Sequence, residues 1–248
     1  RELDKAKNAN FEFSALAGRY LPNLYYLSKE WVEANINNIF SDKLEYEKNW
    51  RCAVSGYSYV NTVYTVIYQL LKDNGHLKRV LDSLFDKSNI RERIVENVAI
   101  SYLRGEESLQ GENSLMAYIL GKWQSHDISS VIDLFWSHRE VDFRNGEDQQ
   151  ILAFWEYCCT KIKGNEQTHR ANLSDLNLLA VFLKKIDSKS KDWLIQSAPY
   201  VEDRHHSFFF LESLDRLADV NPKEVGEVYV SMLNSNILPL YEESNIRS

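Results

Sequence analysis

HHSFFFLESLDRLADVNPKEVGEVYVSML, residues His205–Leu233, writes out two amphipathic helices and the turn between them. Phe210, Leu214 and Leu217 with Ala218 form one apolar stripe; Val225, Val228, Tyr229, Met232 and Leu233 form a second, at offsets of three, four, seven and eight. That period belongs to a helix buried along one side. Asp219, Val220 and Asn221 make the turn. Asn221 suits an N-cap, because its side-chain oxygen can accept from a free backbone amide. Pro222 suits the first helical position, and Glu224 stands where a capping box places its acidic member. Such a hairpin cannot bury its stripes alone, so the rest of the chain must supply more of the same.

Working outward, the same offsets recur. After a short apolar stretch Phe11–Tyr20, broken by Gly18, Ser28 caps a helix reaching about Phe40, with Val32, Ile36, Ile39 and Phe40 on one face. A second helix runs from Lys43 past Trp50 to Val54, and Gly56 ends it. Tyr57–Ile67 is rich in strand-favouring residues. Val63, Val66, Ile67, Leu70 and Leu71 nevertheless keep helical offsets with Asn61 as cap, so Asn61–Asn74 and His76–Phe85 are expected to form a second hairpin. Helices follow over Ile90–Leu103, Leu115–Trp123 and, capped by Asp127, through Ile128–Trp136, with a polar loop at Gly105–Asn113. Ile151, Phe154, Trp155, Cys158 and Ile162 share the face of a longer helix, which puts Cys158 inside as a small hydrophobe. Gly164–Asn172 is polar and expected to be a linker. Beyond it Ser174 caps a helix bearing Leu176, Leu179, Ala180 and Leu183, and Asp187–Lys191 separates that from Trp193–Val201. The expected architecture is all-α: antiparallel hairpins stacked in one array, with residues 1–163 as its main region, 173–234 as its C-terminal hairpins and 235–248 as a polar tail.

Composition agrees. Hydrophobic residues make up 44% of 248, with 12% aromatic, and only 4 Pro and 9 Gly. That excludes disordered and collagen-like chains and disfavours a turn-rich β fold. A net charge of −7 lowers the expectation of nucleic-acid binding. Three cysteines, with Cys158 and Cys159 adjacent, match neither a metal-ligand spacing nor a disulfide framework; a reduced, cytoplasmic protein is expected. No apolar run has the length of a membrane span. Because the chain opens on Arg1 with a charged start, it is expected to be part of something longer.

Catalytic signatures fail. Gly121-Lys122-Trp123 lacks the first glycine and the hydroxyl of a phosphate-binding loop, and neither G-x-G-x-x-G, G-x-S-x-G nor H-E-x-x-H occurs. None of the six histidines has an arginine four to seven residues before it, the spacing of some helical ribonucleases. His205 and His206, beside Asp203 and Arg204, point to different sides of a helix, so a solvated helix start explains them better than a metal. His126-Asp127 and Trp136-Ser137-His138-Arg139-Glu140 sit at helix ends, where such residues serve as caps and dipole partners. Lys184, Lys185, Lys189 and Lys191 form the one basic run, and a solvated face is its default reading. No residue is assigned as catalytic, cofactor-binding or metal-ligating, and no cofactor is implied. The aromatic sets Tyr25-Tyr26, Tyr57/Tyr59 and Phe208-Phe209-Phe210 exceed what a minimal core needs. Three successive phenylalanines span most of a helix circumference, so one of them must meet a neighbouring layer or a partner.

Phe210–Val225, in which a leucine-rich helix turns through Asn221-Pro222 into a second, resembles the helical pairs of HEAT-like arrays. With the Trp-bearing helices at Trp31, Trp50 and Trp155, it resembles the C-terminal helical region of large bacterial multidomain proteins such as STAND-type NTPases or sirtuin-like defence proteins. The resemblance implies an irregular HEAT-like or α-solenoid array that senses a ligand or holds subunits together, the chemistry residing in another domain. The expected function is therefore a non-catalytic scaffold or sensor region that binds a protein partner or the domains of its parent chain. An enzyme domain whose acids, bases or histidines are distant in sequence, and a nucleic-acid binder on a concave helical face, are the alternatives.

Overall fold

The computed structural model describes residues 10–83, 85, 89–143, 145–201 and 204–234, without the side chains of Arg204 and His205. Leu84 of the predicted second hairpin, the His205 side chain and the 235–248 tail lie outside the described residues. The fold is 76% helical, and no strand occurs among the described residues. The chain divides into two compact units at Glu107/Ser108, inside the polar loop predicted at Gly105–Asn113.

The first unit carries α1 (Phe11–Arg19), α2 (Leu21–Leu27), α3 (Lys29–Ile39), α4 (Glu47–Ser58), α5 (Thr65–Asp73), α6 (His76–Asp82) and α7 (Ile90–Leu103). Its tightest feature is the crossing of α1 and α4. A Cβ on Gly18 would stand 1.9 Å from the Ala53 carbonyl oxygen, and one on Gly56 1.9 Å from that of Ala15. Each helix thus presses its backbone onto the other through a position where no side chain fits. The sequence pattern puts a break at Gly18 and a helix end at Gly56; both lie inside helices, and close approach is the reason. Helix α4 consequently runs on through Tyr57 and Ser58, absorbing the first part of the strand-favouring stretch. The next helix begins at Thr65 with Tyr64 as its cap, so Asn61 is not the cap expected of it. Gly75, at φ +76, then turns the chain from α5 into α6.

The second unit carries α8 (Leu115–Lys122), α9 (Ser125–Ser137), α10 (Glu147–Ile162), α11 (Arg170–Leu176), α12 (Ser188–Ser197), α13 (Arg204–Ala218) and α14 (Pro222–Asn234), with 3-10 segments at Glu166–His169, Asn177–Phe182 and Ala198–Tyr200. Packing joins α13 to α14 as the opening stretch predicts, and also α9 to α11, α10 to α12 and α12 to α14. Phe135 and Phe154 meet edge to face at 5.3 Å in its core, and Phe210, Leu214, Val225 and Val228 are buried on the hairpin. Leu233, expected in that stripe, is half exposed.

Several polar residues do different work from that expected. The Asn221 side chain does not cap α14: its oxygen accepts from the Ile186 amide at 2.8 Å and its nitrogen donates to the Ile186 carbonyl at 3.2 Å, tying the hairpin turn to the segment before α12. Gly164–Asn172 is not a slack linker. Glu166 accepts from the Gly164 amide, and buried Asn172 donates to the Ser125 carbonyl at 3.0 Å. Ser174 lies inside α11 rather than at its start, and Asp187, placed in a separator, caps α12 in a reciprocal box with Ser190. Asp127 is buried within the first turn of α9, whose cap position is Gln124.

Candidate functional site

Most of the polar residues that suggest chemistry in the sequence are built into the frame. His138 donates from Nδ1 to the Leu134 carbonyl at 2.8 Å, a bond within one helix turn, while His126 stands exposed on α9. The solvated role expected of His206 is overturned: its side chain is 22% exposed and Nδ1 lies 3.4 Å from Asp175 on α11. Ser129 donates to the other oxygen of Asp175 at 2.5 Å and accepts from Asn172 at 3.3 Å. The carboxylate stands between the hydroxyl and the imidazole, so Ser129 has no base in line to activate it as a Ser–His–Asp order would require. Residues from α9, α11 and α13 converge here. No local pattern marks this cluster, because the three positions are 31 to 77 residues apart.

In the first unit, His76 is a buried strut: Nε2 meets Asn37 Oδ1 at 2.9 Å, and Asn37 donates to Asn74 at 3.0 Å. Glu107, its side chain fully buried, takes Lys72 at 2.6 Å and the Tyr68 hydroxyl at 2.7 Å. Burial first, and then the Glu107 carboxylate, push the Tyr68 phenol well above its ordinary range. A buried charge held this way is matched rather than poised. Cys158 is buried, as expected, and its thiol is pushed up by loss of water; Cys159 is pushed up to about 12 for the same reason. Among the described residues no three His, Cys, Asp or Glu side chains are grouped to hold a metal.

Three of the four lysines in the basic run meet carboxylates. Lys184 meets Asp148 at 3.3 Å, Lys189 meets Glu156 at 2.8 Å and Lys191 meets Glu227 at 3.0 Å.

The Tyr57/Tyr59 and Phe208–Phe210 sets divide between interior and surface, whereas Tyr25 and Tyr26 both lie outside the core. Tyr57 is buried and Tyr59 exposed; Phe210 is buried, Phe209 half-buried against Trp136 at 4.8 Å, and Phe208 exposed. Arg139 lies over the Trp136 ring at 3.9 Å. Tyr25 binds Glu33 across the α2–α3 turn at 3.1 Å, whereas its neighbour Tyr26 is 89% exposed. Successive helical residues point about 100° apart, so adjacent aromatics cannot all face one core. The most exposed large apolar side chains fall in α2 and just before α4: after Tyr26 come Leu44 at 85% and Leu27 at 77%, with Trp31 on α3 at 42%. The apolar pattern along the chain does not reveal that Tyr26, Leu27 and Leu44 stay in water.

The second unit also holds a cleft of about 490 Å³ between α10 and α12, walled by Glu156, Lys163, Glu166, Asp192, Trp193 and Gln196 among others. The Glu166 carboxyl is held below its usual range, first by the Gly164 amide, and Lys189 is raised first by its bond to Glu156. Both shifts fix the charges these groups carry at neutral pH, leaving neither tuned for proton transfer.

Comparison with protein families, curated proteins and solved structures finds no match to this chain.

Proposed function

We propose that this chain is a non-catalytic helical scaffold or sensor region that binds protein through the exposed apolar side chains of α2, α3 and the turn that follows them. The observation that carries the reading is the exposure of Tyr26, Leu27 and Leu44, at 89%, 77% and 85%, with Trp31 beside them in sequence. Tyr and Trp dominate interface energetics, and large apolar groups left in water mark candidate contact sites. The packing of α10 on α12 and of α12 on α14 is what stacked hairpins give, and supports an irregular HEAT-like array in the second unit. The resemblance of Phe210–Val225 to HEAT-like pairs supports the same reading and a place in a larger bacterial protein. Three unpaired thiols suit a reducing cytoplasm, and a lysine run in which three of four members are ion-paired suits a protein partner better than a phosphate backbone. Among the described residues no helix is long and apolar enough to cross a membrane.

The test is co-purification of the intact chain from its native cells, compared with a Tyr26→Ser/Leu27→Ser/Trp31→Ser variant. A partner retained by the parent and lost by a variant of unchanged helicity is the expected result. An unchanged set of bound proteins overturns the reading.

A further inference from the structure

We propose that the α10–α12 cleft is a second, independent docking site, and that it takes a basic peptide segment whose Lys or Arg side chain lies against the Trp193 ring. Its volume, about 490 Å³, is that of a small-ligand site and admits one or two side chains. Its charge favours a cation. Three carboxylates, Glu156, Glu166 and Asp192, face two ammoniums, Lys163 and Lys189. Lys189 is already paired with Glu156 at 2.8 Å. Glu166 takes its hydrogen bonds from the neutral Gly164 amide at 2.9 Å and Gln196 at 3.2 Å, which orient the carboxylate, while Lys163 offsets part of its charge without pairing with it. Asp192 is exposed and has no ion pair among the described residues; the nearby Lys191, which feels its charge, is paired with Glu227 at 3.0 Å. Lys163 stands exposed at the C-terminal end of α10, opposing the bias from one rim.

Trp193 supplies the apolar wall. It lies 5.5 Å from the buried Trp155 ring, which holds the indole in place. A fixed indole beside carboxylates is the arrangement that attracts an alkylammonium or guanidinium. The surrounding field has the same sense. Residues 108–248 carry 14 Lys and Arg against 21 Asp and Glu, whereas residues 1–107 carry 15 of each, so the whole net charge of −7 belongs to the unit that holds the cleft. Such a field steers cations inward and weakens with salt.

The experiment titrates the intact chain by calorimetry with three probes: a capped eight-residue Lys/Ala peptide, its Glu/Ala counterpart, and spermidine. The Lys/Ala peptide is expected to bind, more weakly as salt rises, and the Glu/Ala peptide not to bind. Glu166→Gln/Asp192→Lys is expected to weaken binding about tenfold or more. Both positions lie on the surface, and the amide oxygen introduced by Glu166→Gln still accepts from Gly164. Trp193→Phe, which keeps a ring over Trp155, is expected to weaken it several-fold. Equal binding of both peptides, binding of spermidine alone, or an affinity unmoved by the variants overturns the proposal. The α2–α3 contact is separate: its variant leaves this titration unchanged, so either reading can fail without the other.

Discussion

A thiol buried in the core and one at its edge differ at the level of a single atom's access to water. Cys158 and Cys159 are buried with their thiols held protonated by loss of water, while Cys52 is raised by burial and by Glu12 but remains partly open. Only the thiolate reacts, so a disulfide reagent at pH 8 is expected to modify Cys52 first and the other two when the second unit opens. Simultaneous reaction of all three contradicts the placement. The inward position of Cys158 is readable in the sequence because it shares helical offsets with Ile151, Phe154 and Trp155. The setting of His206 is not. Its partner Asp175 lies on another helix, and nothing in the local sequence distinguishes a histidine that faces water from one that faces a carboxylate. The same holds for Asn221: its neighbours make its side chain look like a cap, and the Ile186 backbone, 35 residues away, takes it instead.

Helix ends and crossings set the next scale. Gly56→Ala forces a methyl into the Ala15 carbonyl, and overpacking of this kind costs about 1–3 kcal/mol or more. A chemical-denaturation midpoint unchanged by Gly56→Ala would contradict the close crossing of α1 and α4. At the start of α12, Asp187 accepts from the Ser190 amide at 2.8 Å, and that bond leads the causes that hold its carboxyl below the ordinary 3.8. A carboxyl whose value is depressed by folding contributes stability above its unfolded value and loses it as pH falls through the folded one. Asp187→Ala is thus expected to cost about 1 kcal/mol at pH 7, with the gap from the parent closing in acid. A gap that is constant from pH 7 to pH 2 contradicts the cap. Helix existence is legible from apolar periodicity alone, as α3, α7, α10, α13 and α14 illustrate. Helix ends are not legible at Gly18, Gly56 and Asn61, because a glycine that breaks a helix and one that lets two helices touch look alike until the second helix is in view.

For the whole molecule, two compact units meet in sequence at a polar loop whose last residue of the first unit, Glu107, is fastened to Tyr68 and Lys72. The polar loop is visible in the sequence; its role as the division is not, since Gly164–Asn172 is just as polar yet lies within the second unit. The all-helical class follows from low Gly and Pro and repeated offsets. The surface that carries the proposed function follows from neither, because exposure of Tyr26, Leu27 and Leu44 depends on which helices cover α2 and α3. The most direct measurement is hydrogen–deuterium exchange of the intact chain, alone and saturated with the partner it co-purifies with. The account predicts slowed exchange concentrated over residues 20–46. Slowing confined to segments outside that stretch, or none anywhere, contradicts it.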